Sequence, residues 1–171
     1  MMSFYLHGFW GTGKDKISTH VESIDYTQIQ EINAENHILN WGSAFATWFE
    51  KKFGNKKSNF VGYSQGGRLL MGLLSVRPDL INKLILISCH PGLTSIQERE
   101  LRLQNDRTWA KKFRSLDWKK LEEEWGSQSV FQGGKVQTKN PADFDRETLA
   151  LCLENWSLAH QPNYRNLLAE H

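Results

Sequence analysis

The sequence predicts an α/β fold: a parallel sheet with crossover helices, followed by a helical lid. Three short apolar runs, each closed by glycine or a tight turn, alternate with two helix-periodic stretches over residues 1–92. Residues 93–171 then carry helical patterns and no convincing strand. The chain accordingly divides into a core over 1–92 and a lid over 93–171, and its 171 residues match the usual size of about 100–200 residues for one domain.

Phe4–Leu6 is the first strand, Asn59–Val61 with its flanking residues the second, and Lys83–Ser88 the third. Between the first two, Trp41–Phe53 sets Phe45, Trp48, Phe49 and Phe53 at helical spacing, and Gly54 supplies a stop. Gly66–Val76 is a second helix, ended by Pro78. Strand, helix, strand in this order implies right-handed crossovers and a parallel sheet. After Pro91-Gly92 come a charged helix over Gln97–Arg114, a short helix over Trp118–Trp125 and a polar loop over Gly133–Pro141. Phe144–Leu158 is the next helix, with Leu149, Cys152, Leu153 and Trp156 on one stripe. Pro162 breaks it, and Tyr164–Glu170 begins another helical turn.

With 39% hydrophobic and 12% aromatic residues the chain can bury a core, which excludes wholesale disorder. Basic residues number 21 against 19 acidic, a net +2, and they are spread along the chain rather than concentrated as a nucleic-acid binder needs. No apolar stretch approaches the roughly 18 residues of a membrane span. Met1–Leu6 lacks the basic start and long apolar middle of a secretory signal. Cys89 and Cys152 form neither a metal spacing nor a disulfide framework. The expectation is a reduced, cytoplasmic globular protein with no nucleic-acid or membrane partner.

Gly62-Tyr63-Ser64-Gln65-Gly66 fits G-x-S-x-G between the second strand and the following helix. A serine on so sharp a turn has its hydroxyl pushed out above the carboxyl ends of the strands, and small neighbours at Gly62 and Gly66 avoid clashes. The helix start adds free N–H groups and positive potential. The alternative makes Ser64 an ordinary helix N-cap. Leu6-His7-Gly8-Phe9-Trp10-Gly11 closes the first strand, where a second oxyanion donor belongs. The backbone N–H groups of Phe9 and Gln65 are the candidate pair, and each such donor is worth about 3–4 kcal/mol. The alternative is a plain glycine turn with His7 packed beneath it.

His7-Gly8-Phe9, Gly62-Tyr63-Ser64-Gln65-Gly66-Gly67-Arg68 and His90-Pro91-Gly92-Leu93 resemble the α/β-hydrolase superfamily. Within it the chain is most similar to the 2-succinyl-6-hydroxy-2,4-cyclohexadiene-1-carboxylate synthases of menaquinone biosynthesis. The lid strengthens that likeness with Glu98-Arg99, Arg102, Asn105-Asp106-Arg107, Trp109-Ala110, Phe113-Arg114, Trp125, Gln128, Val130-Phe131, Ser157-Leu158-Ala159 and Gln161-Pro162. The resemblance implies an α/β-hydrolase-like sheet with a lid, and a carbon–oxygen lyase rather than a hydrolase. A serine–histidine–acid triad removes a proton, pyruvate leaves a cyclohexene polycarboxylate, and no metal or organic cofactor takes part. It makes Ser64 the catalytic serine, gives Phe9 and Gln65 the oxyanion site, and sets Tyr63, Arg68, Arg102 and Trp125 along the substrate pocket.

The residues independently favour a small anionic substrate. Arg68 lies one helical turn beyond Ser64, and Arg99 and Arg102 share a face of the first lid helix. A guanidinium fork suits a carboxylate. Arg102 is the foremost candidate, although Asp106 four residues on offers it a pairing along the helix; Arg68 has the alternative of a structural ion pair. Arg99, Arg107 and Arg114 fit a solvated face. Cys89 and His90, as sequence neighbours, do not form a dyad. The triad's acid and histidine are expected on two strands after the lid, yet no Asp follows Asp145, and His160 and His171 lack a loop-after-strand setting. His20–Leu39 is also short and polar for the strand and helix of the resembled fold. These departures lead to the expectation that the C-terminal strands are missing and that the incomplete sheet is marginally stable, self-associates or is completed by another chain. A serine esterase or thioesterase, and an inactive hydrolase-like binding protein, are the alternative functions.

Overall fold

The computed structural model describes residues 1–15, 17–32, 34–35, 37–131 and 138–171. Four parallel strands make one sheet in the order β2-β1-β3-β4, with β1 at Ser3–Leu6, β2 at Glu22–Ile24, β3 at Ser58–Tyr63 and β4 at Ile81–Ile87. The three strands expected from the sequence are present. The fourth, β2, is a correction: Glu22-Ser23-Ile24 is too short and polar to show as a strand, and pairing with Phe4, Tyr5 and Leu6 imposes its conformation. Among the described residues between β2 and α1 there is no α-helix, but two 3-10 turns, Tyr26–Gln28 and Gln30–Ile32.

Helix α1, Ile38–Phe53, begins three residues before the expected start at Trp41, because the His37 ring caps it by accepting from the Leu39 N–H. Gly54 ends it at φ 79°, where glycine carries no penalty. Helix α2, Gln65–Val76, starts directly after Ser64. Both helices cover one sheet face, and Trp41, Phe45, Phe49, Leu69, Leu70 and Leu73 pack there with Phe4, Leu6 and Phe60.

Beyond β4 lie α3 (Ile96–Ser115), α4 (Trp118–Gly126), α5 (Arg146–Asn155) and α6 (Arg165–Glu170). No strand occurs among the described residues of this part. Ser95 and Glu98 form a reciprocal capping box at the start of α3. Helix α5 is shorter than its apolar stripe suggested, because Asp145 caps it by accepting from the Thr148 N–H and the chain leaves helical geometry at Trp156. Of the expected polar loop, residues 133–137 lie outside the described residues, and Pro141–Asp143 is a 3-10 turn. α5 belongs to two cores at once. Leu149, Ala150 and Leu153 join Trp10, Trp109, Phe113 and Leu121, while Cys152 and Trp156 reach the core under the sheet.

Candidate active site

Ser64 sits between β3 and α2 with φ 50° and ψ −114°, a conformation that L-residues hold only when their surroundings enforce it. The enforcement is visible in its neighbours. The Ser64 N–H donates to the Ile87 carbonyl at 2.9 Å, and its carbonyl accepts from the Arg68 N–H at 3.1 Å. A Cβ on Gly66 would stand 2.4 Å from the Leu6 and His7 carbonyl oxygens, and one on Gly62 would stand 2.5 Å from the Gly67 Cα. Both positions are therefore closed to any side chain. Ser64 makes no side-chain capping bond, so the N-cap alternative is not realised.

The turn opens into a cleft of about 480 Å³ between the strand ends and the lid. All seven residues singled out from the sequence line it: Phe9, Tyr63, Ser64, Gln65, Arg68, Arg102 and Trp125. The N–H groups of Phe9 and Gln65 donate to no other group among the described residues. Trp125 also packs within the lid, 5.0 Å from the Phe9 ring and 5.3 Å from that of Phe113.

The two arginines differ. Arg68 is buried, and donates to the Gln161 side-chain oxygen at 3.1 Å and to the Trp156 carbonyl at 2.9 Å. Neither acceptor is charged, so the alternative of a structural ion pair does not hold. Burial first, and then repulsion from Arg102, lowers its pKa to about 10, which leaves it a cation at neutral pH. Arg102 pairs with Asp106 as the spacing allowed, its Nε 2.9 Å from both carboxylate oxygens. Asp106 is itself buried and also accepts from the Ser157 hydroxyl at 2.7 Å. Arg102 thus lines the cleft held through its Nε by a fixed carboxylate, and no described residue accepts from its terminal amino groups.

Asn105, Gln128 and His90 line the same cleft. His90 lies three residues beyond the end of β4. Its Nδ1 accepts from the Gly92 N–H at 3.1 Å, and burial, followed by the positive charge of Arg165, lowers its pKa. Burial raises the Cys89 thiol, so no thiolate–imidazole dyad forms. Among the described residues the one histidine–carboxylate ion pair is His7–Asp25, at 3.3 Å, and His7 does not line the Ser64 cleft. No hydrogen bond joins the Ser64 hydroxyl to a described residue.

The solvated face expected for the other lid arginines needs correction at one position, Arg99. Arg99 donates to the carbonyls of Ala159, Gln161 and Leu93 at 2.6–2.9 Å, welding α3 to the chain after α5. Arg114 is bidentate to both Glu147 and Glu154 of α5. Arg114 and Arg107 both stay exposed, as expected. Among the described residues no cluster of three or more His, Cys, Asp or Glu side chains can hold a metal, and no helix is long and apolar enough to cross a membrane.

A sequence model of the α/β hydrolase fold matches residues 36–128, more than half of the chain. The chain belongs to the α/β hydrolase fold family. It is 38% identical over 114 residues to a 2-succinyl-6-hydroxy-2,4-cyclohexadiene-1-carboxylate synthase from Salmonella arizonae, a stretch covering 63% of this chain and 45% of that protein. An Enterobacter protein of the same name is 27% identical over a stretch covering 98% of this chain and 70% of its own. Among solved structures, MenH from S. aureus superposes with a TM-score of 0.78 at 21% identity, covering 99% of this chain and 71% of that one. The match to the Salmonella protein thus spans under half of that relative's length. The α/β hydrolase fold accounts for the β3–Ser64–α2 turn and for a cleft at the carboxyl ends of parallel strands.

Proposed function

We propose that the Ser64 cleft serves a lyase reaction of the synthase kind, eliminating pyruvate from a cyclohexene polycarboxylate. The observation that carries this reading is Arg68: a buried guanidinium in the cleft wall, hydrogen-bonded only to neutral oxygens. Of the charges that act on it, Arg102 repels and Asp106 attracts, and Asp106 is already bonded to Arg102 and Ser157, so the buried guanidinium gains from a further anion. A cleft for neutral esters has no use for that charge. In the proposed reaction Ser64 first gives its hydroxyl proton to the triad histidine that the resemblance implies, and its oxygen then takes a proton from a substrate carbon. The N–H groups of Phe9 and Gln65 face the negative charge that develops, a carbon–carbon double bond forms, and the carbon–oxygen bond breaks with its electron pair leaving on pyruvate as the enolate. Arg68 and Arg102 hold substrate carboxylates, with Tyr63 and Trp125 against the ring. No metal or organic cofactor enters this scheme.

Pyruvate release, followed with a lactate dehydrogenase couple, tests it. Ser64→Ala is expected to abolish release, and Arg102→Ala to raise KM about tenfold or more, as loss of one charge-assisted bond does. Turnover of p-nitrophenyl esters through an acyl-enzyme, without pyruvate release, would replace the lyase by an esterase.

A second reading, a binding protein without turnover, is favoured by one observation: the Ser64 hydroxyl has no imidazole bonded to it among the described residues. Without a base its hydroxyl is a weak nucleophile. Covalent labelling of Ser64 by a fluorophosphonate would rule this reading out.

A further inference from the structure

Behind the cleft, one buried side chain touches both turns that carry the candidate anion-binding N–H groups. Tyr26 is fully buried in the 3-10 turn after β2 and does not line the Ser64 cleft. Its phenol O–H donates to the His7 carbonyl at 3.1 Å and is shared with the Gln65 side-chain oxygen at 3.2 Å. The same His7 carbonyl accepts from the Gly66 N–H at 3.1 Å, so the turn after β1 and the turn at Ser64 meet on one oxygen. The Tyr26 ring also stacks on His7, 4.4 Å between centroids. Gln65 continues the chain of contacts, its amide donating to the Cys152 carbonyl of α5 at 3.4 Å.

We propose that Tyr26 is a positioning residue, holding the backbone N–H groups of Phe9 and Gln65 in one fixed arrangement and linking them through Gln65 to α5. This rests on the reading of those N–H groups as the anion site. Phe9 is two residues from the carbonyl that Tyr26 grips, and Gln65 is gripped by its own side chain. A buried phenol must place its O–H on an acceptor, so the contact cannot drift without cost. Burial pushes the Tyr26 pKa well up, so the group remains a donor. Donors aimed at developing charge act only when preorganised, which makes their mutual placement the quantity to secure.

Tyr26→Phe in the full chain removes the hydroxyl and keeps the ring. Amide hydrogen exchange at Gly66, whose N–H shares the His7 carbonyl, is expected to speed up about tenfold, the scale of one lost hydrogen bond. Val61 in β3 is expected to keep its rate. Tyr164→Phe, which removes a phenol bonded to Ser75 away from the cleft, serves as the control and is expected to leave Gly66 unchanged. Gln65→Met, cutting the other end of the link, is expected to repeat the Gly66 effect should Tyr26→Phe fold poorly. An unchanged Gly66 rate, or equal acceleration at Val61, overturns the proposal. Where pyruvate release is present, Tyr26→Phe is expected to lower kcat about tenfold with KM within about twofold, and an unchanged kcat overturns it as well. If wild-type protein releases no pyruvate, the lyase reading falls, while the exchange experiment still decides the clamp.

Discussion

Asp25, at the carboxyl end of β2, gathers more hydrogen bonds than a short polar strand advertises. Its carboxylate accepts from the Thr27 N–H and hydroxyl and from the Gly13 N–H, and faces His7 at 3.3 Å. Burial alone would raise its pKa, but the hydrogen bonds from His7, Thr27 and Gly13 outweigh burial and hold it at about 2. An unfolded aspartate titrates near pH 3.9, roughly. The folded value is the lower one, so the stabilisation is complete above about pH 4 and is lost as pH falls through about 2. The difference is worth about 2 kcal/mol. Urea denaturation at a series of pH values is expected to show wild type losing about that much more than Asp25→Asn on acidification. Equal acid sensitivity in the two would mean that Asp25 is not held down in the folded chain. At this scale the sequence was legible only in part. Gly62, Ser64 and Gly66 announce their turn because steric exclusion leaves a fixed spacing. Asp25 and Tyr26 act through folded contacts with residues 18 and 39 positions away in the pairs Asp25–His7 and Tyr26–Gln65, which no local pattern records.

Between elements, α3 is fastened to the rest of the lid by charges rather than by a broad apolar stripe. Trp109, Ala110 and Phe113 supply its buried end, whereas Arg99 and Arg114 reach outward to specific acceptors. Arg99 is the most exacting, because one planar fork satisfies three backbone carbonyls, those of Leu93, Ala159 and Gln161. Arg99→Met keeps the aliphatic stem and removes all three bonds. It is expected to cost about 2–3 kcal/mol in chemical denaturation, the scale of partly buried bonds to a charged group. Arg99→Lys, whose ammonium cannot span the three carbonyls, is expected to recover less than half of that loss. A change below about 0.5 kcal/mol for Arg99→Met would return this residue to the solvated face its charge alone suggested. The distinction was not readable in advance: a helix face of arginines looks the same whether water or a folded-back carbonyl accepts from it. The helices themselves were readable, since capping residues and periodic apolar positions are local; their ends moved by more than one residue only where His37 and Asp145 capped them and where α5 stops before Trp156.

For the molecule as a whole, parallel strands ordinarily have both faces covered and both edges paired or protected. Here α1 and α2 cover the face bearing Phe4, Leu6 and Phe60. The opposite face carries Tyr5 and Val61 in register with Ile85, and Tyr63 in register with Ile87. Ile85 is 54% exposed and Ile87 and Tyr63 each 41%, and β4 has no strand on its outer side among the described residues. From Leu84 to Ile87 that edge holds no charge, proline or bulge, so none of the usual devices against pairing is present there. A second copy is the occupant this chemistry suits. Antiparallel pairing about Leu86 sets Ile85 against the second copy's Ile87 and keeps the two Lys83 ammonium groups apart. The chain is therefore expected to self-associate. Sedimentation equilibrium over a range of about 1–100 μM should give a mass that rises with concentration toward at least a dimer. Ile85→Lys would set an ammonium group against the second copy's Ile87 and make the two new charges diagonal neighbours in the paired state, while costing the monomer little at so exposed a position. It is expected to keep the protein monomeric across the whole range, with an unchanged far-ultraviolet circular dichroism spectrum. A wild-type mass that stays monomeric at about 100 μM, or an Ile85→Lys protein that associates as strongly as wild type, would show that this edge is not the contact.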